Sequence, residues 1–457
     1  MQPRVSYIKI IKEAKCDKYM SFLESIPAIL RLLFVFVLVL IAIKKRLSLG
    51  NAFLLGAVFL GVMFGLNPPV MFKAILASII HPKTLSLALI VSLILVLSHS
   101  MELAGQMQRL LSRFQGLIIS QRLNLVVFPA LIGLLPMPGG AIFSAPMVKN
   151  LGEHLRLSDD QLTFINYWFR HIWEYWWPLY PGVLLTITLA NLDLWIFILF
   201  LFPLTFVAVY SGYLRLRGFG VKTYDRKNKP GKDRRSPIVP FIKELEPILI
   251  VIFFGLGMGT LFSFTFSSHD LFMSIAKEIG LILALVIAIG RVWHKNKLSK
   301  AQRWQILSNR QLLNMVYMVA SILVFKGILE HNQAIEAISN DLLRWHIPLM
   351  LITVVLPLLV GCVAGITIAF VGAAFPILIA LIQSFGEVHY MVAYMMLGLV
   401  SGFVGVLISP MHLCLLLSNE YFGSSLGQVY RHLWLPCIFI LIFSMLYFWL
   451  LHWTGPF

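Results

Sequence analysis

The stretch 129–148, which reads PALIGLLPMPGGAIFSAPMV, constrains the fold more than any other part of the chain. It is apolar enough for a membrane interior, but Pro136 and Pro138 remove backbone hydrogen-bond donors near its centre. The adjacent Gly139 and Gly140 weaken a helix further. In hydrocarbon, broken backbone is tolerated only where protein or a water-filled cavity covers it. The stretch therefore predicts either a kinked spanning helix or a re-entrant hairpin whose tip holds exposed backbone groups near the middle of the membrane.

The composition indicates that a membrane surrounds this stretch. Of the 457 residues, 59% are apolar and 12% are charged, whereas a soluble domain is about half apolar and about a quarter charged. Several apolar runs reach the roughly 20 residues that cross a bilayer core of about 30 Å. We therefore expect an all-α polytopic protein of the cell (plasma) membrane, with the lipid bilayer as a partner.

Charge and cysteine content argue against several other partners. The net charge is +17, but the basic residues lie between apolar runs, where they set membrane topology, so nucleic acid is not an expected partner. The four cysteines, Cys16, Cys362, Cys414 and Cys437, form no CxxC pair. The sequence therefore predicts no disulfide framework and no metal site, and it gives no sign of an organic cofactor.

The chain contains two halves whose features follow the same order. Each half has two spans, a third span that ends near a glutamate (Glu102 or Glu330), a broken apolar stretch, a helix with an internal proline (Pro178 or Pro410) and a final plain span. The candidate spans are about 27–43, 49–66, 84–101, 161–188 and 191–211 in the first half, and about 248–266, 274–291, 312–330, 389–418 and 433–452 in the second. This shared order predicts an internal repeat.

The domain boundaries follow from this repeat. An N-terminal segment, 1–25, precedes the first repeat at 26–214, and the second repeat occupies 247–457. The broken stretches are 123–150 and 348–383, and a linker at 215–246 separates the halves. This linker holds ten Lys/Arg against four Asp/Glu, so we expect it to be cytoplasmic.

The distribution of basic residues favours hairpins over kinked spans. With Lys44, Lys45 and Arg46 in the cytoplasm, two further spans return the chain there before residue 123. If 123–150 crossed the membrane, the basic linker would lie outside the cell, against the positive-inside rule. The helix before the break, about 13 residues or roughly 20 Å long, is also too short to cross. Each half then makes an odd number of crossings. The prediction is therefore about 10 transmembrane helices plus two re-entrant hairpins in two inverted repeats.

This arrangement resembles the ion-transporter superfamily of secondary carriers, which includes dicarboxylate, gluconate and arsenite carriers. More closely, LLPMPGGAIFSAPMV at 134–148 and FRHIWEYWWPLYPG at 169–182 resemble an uncharacterised integral-membrane family, domain of unknown function 401. The similarity runs over nearly the whole chain from Phe22. It implies hairpins that enter from opposite faces, substrate between their tips, coupling to Na⁺ or H⁺, and a homodimer. The dicarboxylate branch has Ser-Asn-Thr at each tip, whereas this chain has Pro-Gly-Gly and Gly-Cys-Val-Ala-Gly, so a dicarboxylate substrate is not implied.

The predicted hairpin tips supply the first candidate substrate-binding groups. Helix N-termini attract anions and unwound carbonyls attract cations. In the first tip the candidates are Pro138, Gly139, Gly140 and Ser144. In the second tip they are Gly361, Gly365 and Thr367. The alternative is that these glycines serve close helix packing, as in Gly361-x-x-x-Gly365.

The helix predicted at 161–188 carries ionisable groups deep in an aromatic run. Ionisable groups inside a membrane are costly and usually face a cavity or a partner. Arg170 and Glu174 are four residues apart and can pair on one helix face. In the functional interpretation Arg170 holds an anionic substrate, and His171 or Glu174 takes a coupling proton. In the structural interpretation they form an ion pair inside an aromatic belt. Asn166 and Thr163 are candidate oxygen ligands for a coupling cation.

The second half offers weaker candidates. Ser401, Gly402, Gly405, Ser409 and Pro410 mark the break of its proline-containing helix, and His412 follows. Small residues beside proline free carbonyls that can face a cavity, although an ordinary proline kink has the same signature. Glu102 and Glu330 fall where spans meet water, and Lys326 is placed to pair with Glu330.

These features predict a secondary active transporter of a small anionic solute, coupled to H⁺ or Na⁺ by alternating access. It is not expected to be an enzyme. A channel or facilitator is the alternative, although no charged ring or filter-like repeat favours it. An intramembrane hydrolase is a weaker alternative: HExxH is absent, and the GxSxG string at 423–427 lies between spans rather than after a strand.

Overall fold

The computed structural model describes residues 25–114, 120–137, 139–219, 238–265, 270–330 and 334–455. All regular structure in these ranges is helical. Pro138, most of the N-terminal segment 1–25 and most of the basic linker lie outside the described residues. The described ends of the linker are helical, since one helix continues to Gly218 and the next begins at Ile238.

Eleven helices are described in the first half of the chain. They are α1 (Ala28–Lys44), α2 (Leu49–Met63), α3 (Pro68–Ile80), α4 (Pro82–Leu103), α5 (Gln106–Phe114), α6 (Gln121–Ile132), α7 (Ala141–His154), α8 (Asp159–Arg170), α9 (Pro181–Ala190), α10 (Leu194–Leu201) and α11 (Pro203–Gly218). Proline begins α3, α4, α9 and α11, where its missing N–H would have no helical partner in any case.

The second half contributes ten described α-helices and one short 3₁₀ turn at Val388–Tyr390. The helices are α12 (Ile238–Thr265), α13 (Asp270–Lys295), α14 (Lys300–Leu307), α15 (Arg310–Glu330), α16 (Ala334–Arg344), α17 (Leu349–Ala364), α18 (Thr367–Ser384), α19 (Met391–Leu407), α20 (Leu413–Phe422) and α21 (Leu426–Thr454). Ser425 caps α21 through a reciprocal bond with Gln428, which fixes the turn after α20.

Several helices are suited to a membrane, which agrees with the expected all-α membrane class. Six described helices are long and apolar enough to cross, or seven if α16 and α17, bent by 115°, count as one span. These helices differ greatly in how much of their apolar surface is buried inside the protein. In α18 and α19, 89% of the apolar window is buried, against 33% in α21. The first two therefore form the centre of the protein, and α21 presents its apolar side chains outward. The expected total of ten spans stays a prediction.

Both broken stretches form pairs of helices that pack against each other. In the first stretch α6 ends at Ile132 and α7 begins at Ala141, so eight residues, 133–140, separate them. In the second, α17 ends at Ala364 and α18 begins at Thr367. Gly365 adopts φ +65°, a left-handed conformation that glycine takes without steric cost, so this chain reversal needs two residues.

The packing of helices recurs in matched pairs between the two halves. Helix α2 packs on α15, and α13 packs on α4. Likewise α6 contacts α8 as α17 contacts α19, and α7 contacts α20 as α18 contacts α9. Each member of these pairs occupies the same place in the order of its half. The contacts around the broken stretches therefore follow the same order of elements in each half, and the internal repeat itself stays a prediction.

The two proline-containing helices are both broken, but one break begins earlier than expected. The helix predicted at 161–188 ends at Arg170 and resumes at Pro181, so the break precedes Pro178 by several residues. Tryptophan and tyrosine side chains fill this irregular segment. The helix predicted at 389–418 ends at Leu407 and resumes at Leu413, around Pro410 as expected.

Candidate functional site

Four interruptions of helical structure meet in the interior of the protein. They are 133–140 and 365–366 at the hairpin tips, and 171–180 and 408–412 in the broken helices. Tyr180 donates to the carbonyl of Gly133 at 2.7 Å, and Thr367 donates to Glu174 Oε1 at 2.5 Å. His412 Nδ1 lies 2.7 Å from the carbonyl of Gly365. The segment 171–180 thus contacts both hairpin tips, and we call this junction the central site.

Arg170 is the ionisable side chain that contacts the first tip. It is the last residue of α8 and is only 3% exposed. Its guanidinium donates to the carbonyl of Met137 at 2.7 Å and to that of Ile132 at 3.4 Å. A Cβ on Gly140 would lie 2.5 Å from Arg170 Nη2, so a larger residue there would displace the guanidinium from the tip. Arg170 therefore acts as a cap for carbonyls that the broken backbone leaves without helical partners.

The predicted ion pair between Arg170 and Glu174 is not formed. The expectation relied on helical i,i+4 spacing, but α8 ends at Arg170 and the following residues turn away. Among the described residues, no carboxylate makes an ion pair with Arg170. Glu174 instead accepts from Thr367, and its other oxygen lies 3.7 Å from His171 Nε2. Two of the predicted functional groups therefore contact side chains of the second half: Glu174 contacts Thr367, and His171 contacts His412.

Two histidines from opposite halves face each other in the central site. His171 Nε2 and His412 Nε2 are 3.1 Å apart, and both side chains are buried. The other ring nitrogen of His171 lies 2.6 Å from the carbonyl of Tyr167. The thiol of Cys414 lies within 4.8 Å of a ring nitrogen of each histidine. His171 was predicted from sequence and His412 was noted beside Pro410, but their contact was not foreseen.

Asn166 connects three chain segments beside the first tip. Its Oδ1 accepts from Ser144 at 2.6 Å, and its amide donates to the carbonyl of Ala141 and to Ser418 Oγ, both at 3.0 Å. Asn166 and Ser144 are fully buried. The predicted candidates Asn166 and Ser144 therefore lie together at the start of α7. Thr163 lies one turn earlier in α8, nearer the N-terminal end of that helix, and contacts Ser424 Oγ at 2.6 Å.

The remaining second-half candidates are positioned around the second tip. Ser409 accepts from the backbone N–H of Met411 at 3.2 Å, which stabilises the break around Pro410. A Cβ on Gly365 would lie 2.9 Å from Ser409 Oγ, so the tip and the broken helix touch here. Gly361 packs against the backbone of α19, as the packing alternative predicted. In the first tip Gly139 has φ +72°, and the proposed contribution of Pro138 falls on a residue outside the described ranges.

The second of the two matched glutamates, Glu330, lies at the end of a helix. Glu330 is paired with Lys326 at 3.5 Å, and its side chain is 47% exposed, as expected for a helix end in water. A cavity of about 560 Å³ opens instead beside the break 171–180. Its lining includes Pro178 and Leu179 of this break and the charged residues Lys83, Asp193 and Lys277. Arg170, His171 and Glu174 are not among the residues that line this cavity.

Sequence analysis missed three polar participants of the central site. Cys414 was noted only for its lack of a CxxC partner, Tyr180 only as part of an aromatic belt, and Ser418 not at all. A signal existed for Cys414, because it follows the predicted break at Pro410 by four residues. Its proximity to His171 could not be inferred, since the two belong to different halves.

This combination of groups can bind ions of either sign. The guanidinium of Arg170 is a donor suited to anions. The carboxylate of Glu174, the imidazoles of His171 and His412 and the oxygens around Asn166 can accept protons or bind cations. All lie at or within a few residues of interruptions of helices, the positions at which membrane carriers bind ions.

A family model described as a protein of unknown function (DUF401) matches residues 26–451, nearly the whole chain. No curated protein is significantly similar to the chain.

Proposed function

The chain belongs to the DUF401 family of proteins of unknown function, and from this premise we propose that it is a secondary active transporter of a small anionic solute. Transport would be driven by a gradient of H⁺ or Na⁺ and would proceed by alternating access around the central site. The proposal includes membership of the ion-transporter superfamily, to which the sequence has a resemblance. It places the protein in the plasma membrane with the basic linker in the cytoplasm.

The observation that carries the proposal is the environment of Arg170. A buried charge costs several kcal/mol unless it is paired. Arg170 is 3% exposed, donates to two carbonyls and has no carboxylate in an ion pair within the described chain. Carbonyl dipoles stabilise the cation partially and leave its attraction for an anion available. An anionic solute that replaced a carbonyl as acceptor would complete this interaction with a charge-assisted hydrogen bond.

Coupling to a cation has two structural candidates. Either Glu174 or His171 can take up and release a proton, and protonation of either would change the charge near Arg170. Asn166, with Ser144 and the carbonyl of Ala141 nearby, offers oxygen ligands to Na⁺. Asn166 contacts Ala141 beside the first tip, which Arg170 also contacts, and Glu174 contacts Thr367 beside the second tip.

The proposed topology has ten spans and two hairpins that enter from opposite faces, in inverted repeats at 26–214 and 247–457. The matched packing of α2 on α15 with α13 on α4, and of α7 on α20 with α18 on α9, supports a twofold relation between the halves. A homodimer is part of the proposal through the family resemblance alone.

The topology is testable by introducing Arg122→Cys or Lys149→Cys and labelling with a membrane-impermeant thiol reagent. A re-entrant hairpin requires labelling from the same face, whereas opposite faces would exclude it.

The function is tested by solute binding and uptake with Arg170→Ala. We would first screen acetate, lactate, succinate, citrate and gluconate by thermal shift, at several pH values and with or without Na⁺, because a bound ligand raises apparent stability. The best ligand would then be offered to proteoliposomes. We expect saturable uptake only under an imposed H⁺ or Na⁺ gradient, and loss of at least about tenfold in affinity without the Arg170 guanidinium, corresponding to about 1.4 kcal/mol.

The matched control is Arg344→Ala, which removes an exposed arginine at the end of α16. This variant should bind and transport as the wild type does. Unchanged affinity in a folded Arg170→Ala protein would remove Arg170 from the binding site. Flux that does not saturate and ignores the cation gradient would favour a channel or facilitator instead.

An intramembrane hydrolase has less support. In the GxSxG string, Ser424 donates to Asn419 and Ser425 caps α21. Both serines thus have structural partners at a helix–helix turn. We propose no enzymatic activity.

A further inference from the structure

We propose that His171, His412 and Cys414, with Glu174 as a fourth ligand, form a binding site for a divalent transition metal of the Zn²⁺ class. One ligand atom from each of His171, His412 and Cys414 lies within 4.8 Å of the other two, and the two Nε2 atoms are 3.1 Å apart. All three side chains are buried. The inference does not depend on a transport function.

The hydrogen bonds of the two imidazoles determine where their protons lie. A carbonyl oxygen can only accept, so each Nδ1 must carry the hydrogen that it donates: His171 to Tyr167, and His412 to Gly365. In neutral imidazoles both Nε2 atoms then carry lone pairs. These lone pairs face each other across 3.1 Å. Such a contact is repulsive unless a cation lies between the two nitrogens.

The distances fit a transition metal. With metal–nitrogen distances near 2.0–2.1 Å, two imidazoles on one tetrahedral Zn²⁺ have nitrogens about 3.3 Å apart. The observed separation is 3.1 Å. A sulfur ligand would lie about 3.6 Å from each nitrogen, so a shift of Cys414 Sγ on the order of 1 Å would complete the coordination. Glu174 Oε2 is already 3.7 Å from His171 Nε2.

The ligand chemistry also favours this class of ion. Imidazole and thiolate together select Zn²⁺ and related metals over Mg²⁺ and Ca²⁺, which prefer oxygen ligands. Two neutral imidazoles, one thiolate and one carboxylate neutralise a divalent ion, which matters in a buried site. On binding, the metal–sulfur bond forms as the Cys414 S–H proton leaves to solvent, so one proton is released.

The surroundings orient the ligands as in known metal sites. Metal-binding histidines usually donate their second ring N–H to a carbonyl or carboxylate, which fixes the tautomer and the ring direction. Both histidines do so here, and Glu174 is itself held by Thr367 at 2.5 Å. Sequence analysis predicted no metal site because it considered cysteine pairs. The two histidines are 241 residues apart, and the fold brings them together.

The experiment uses purified full-length protein without a polyhistidine tag, titrated with Co²⁺ as a spectroscopic substitute for Zn²⁺. We expect tetrahedral Co²⁺ absorption bands together with a thiolate-to-cobalt charge-transfer band, and their loss when Zn²⁺ displaces the Co²⁺. Cys414→Ser should remove the charge-transfer band. The control Cys437→Ser, which removes another buried thiol, should keep it.

A second variant covers the case in which Cys414→Ser does not fold. His412→Asn retains an N–H donor for the Gly365 carbonyl but lacks the Nε2 ligand. Since loss of a supporting residue alone lowers metal affinity about 10- to 100-fold, loss of this ligand should lower it by at least about 100-fold. Absence of the charge-transfer band in the wild type would mean that a proton alone bridges the histidines, and the proposal would be wrong. Persistence of the band in Cys414→Ser would equally overturn it, by assigning the metal to another thiol.

Discussion

The two hairpins differ in how their tips are stabilised. In the first, eight residues separate the helices, and side chains from the end of α8 and the segment after it cap carbonyls of the hairpin: Arg170 at Met137, Tyr180 at Gly133 and Trp173 at Ala130. In the second, two residues suffice, and glycines bring α17 and α19 into backbone contact. Side-chain caps can be exchanged for a ligand, whereas backbone packing cannot. We therefore expect the first hairpin to serve binding and the second to serve as its rigid support.

We expect the largest loss of stability from Gly405→Ala, a change in α19 where that helix packs against the second hairpin. A Cβ at Gly405 would lie 2.2 Å from the carbonyl oxygen of Leu358 and 2.9 Å from the backbone nitrogen of Cys362. No rotamer change can relieve a clash with backbone, so the helices must separate. Overpacking typically costs about 1–3 kcal/mol, and we expect about 3 kcal/mol or more here, measured as a lower thermal-unfolding midpoint in detergent.

The matched control for this prediction is Gly290→Ala in α13. A Cβ at Gly290 meets no atom within 4 Å, and alanine favours a helix by up to about 1 kcal/mol over glycine. This variant should be as stable as the wild type or slightly more stable. If Gly405→Ala is tolerated equally well, the second hairpin is not rigidly packed and the proposed contrast between the hairpins fails.

The contact between the halves should give an intermediate effect, tested by Thr367→Val. Thr367 Oγ1 donates to Glu174 Oε1 at 2.5 Å, and both side chains are buried. Valine leaves this carboxylate oxygen without that donor, which should cost about 1–3 kcal/mol. Thr353→Val is the control, because the fully buried Thr353 hydroxyl donates within α17 to Leu349.

The control should cost about 1 kcal/mol or less, since the Leu349 carbonyl keeps its helical environment. Equal losses in the two variants would show that Glu174 does not depend on the second hairpin. A larger loss in Thr367→Val, accompanied by weaker solute binding, would indicate that the second hairpin positions groups of the first break.

Much of the fold could be predicted from sequence because its signals are local. Apolar runs indicated the membrane class, and Pro136, Gly139 and Gly140 marked the first break within a few residues. Pro410 likewise marked the break after α19. By contrast, Pro178 predicted the wrong position, since α8 ends at Arg170, where tertiary contacts of Arg170 with Ile132 and Met137 replace the helical continuation.

The central site was less predictable because its contacts are long-range. Arg170, His171 and Glu174 were identified by their cost in a membrane, but their partners were not. The ion pair of Arg170 with Glu174 that the structural interpretation required is not formed, and the contacts of His171 with His412 and of Glu174 with Thr367 join the two halves. Periodicity and local motifs contain no information on such pairs.

The smallest effect should come from an ion pair outside both hairpins, with Asp193→Asn. Asp193 caps α10 through bonds from Trp195 N and Ile196 N and also accepts from Lys277 of α13. Asparagine caps a helix about as well, so this variant tests the charge alone. Such exposed pairs contribute about 0–1 kcal/mol, far less than either hairpin contact, and the unfolding midpoint should fall only slightly at neutral pH.

The pH dependence of this ion pair gives an internal check. Burial alone would raise the pKa of Asp193, but the hydrogen bonds from Lys277 and from the backbone lower it below the usual 3.8. A carboxyl group whose pKa is lower in the folded protein stabilises the fold at pH values above its pKa in the unfolded chain, about 3.9. This contribution is lost as the pH falls through the pKa of the folded protein. The difference between wild type and Asp193→Asn should therefore stay constant from about pH 5 to 8 and shrink below about pH 4. A difference that grows on acidification would mean that the carboxylate is not stabilised by Lys277, and that this surface contact does not join the two halves.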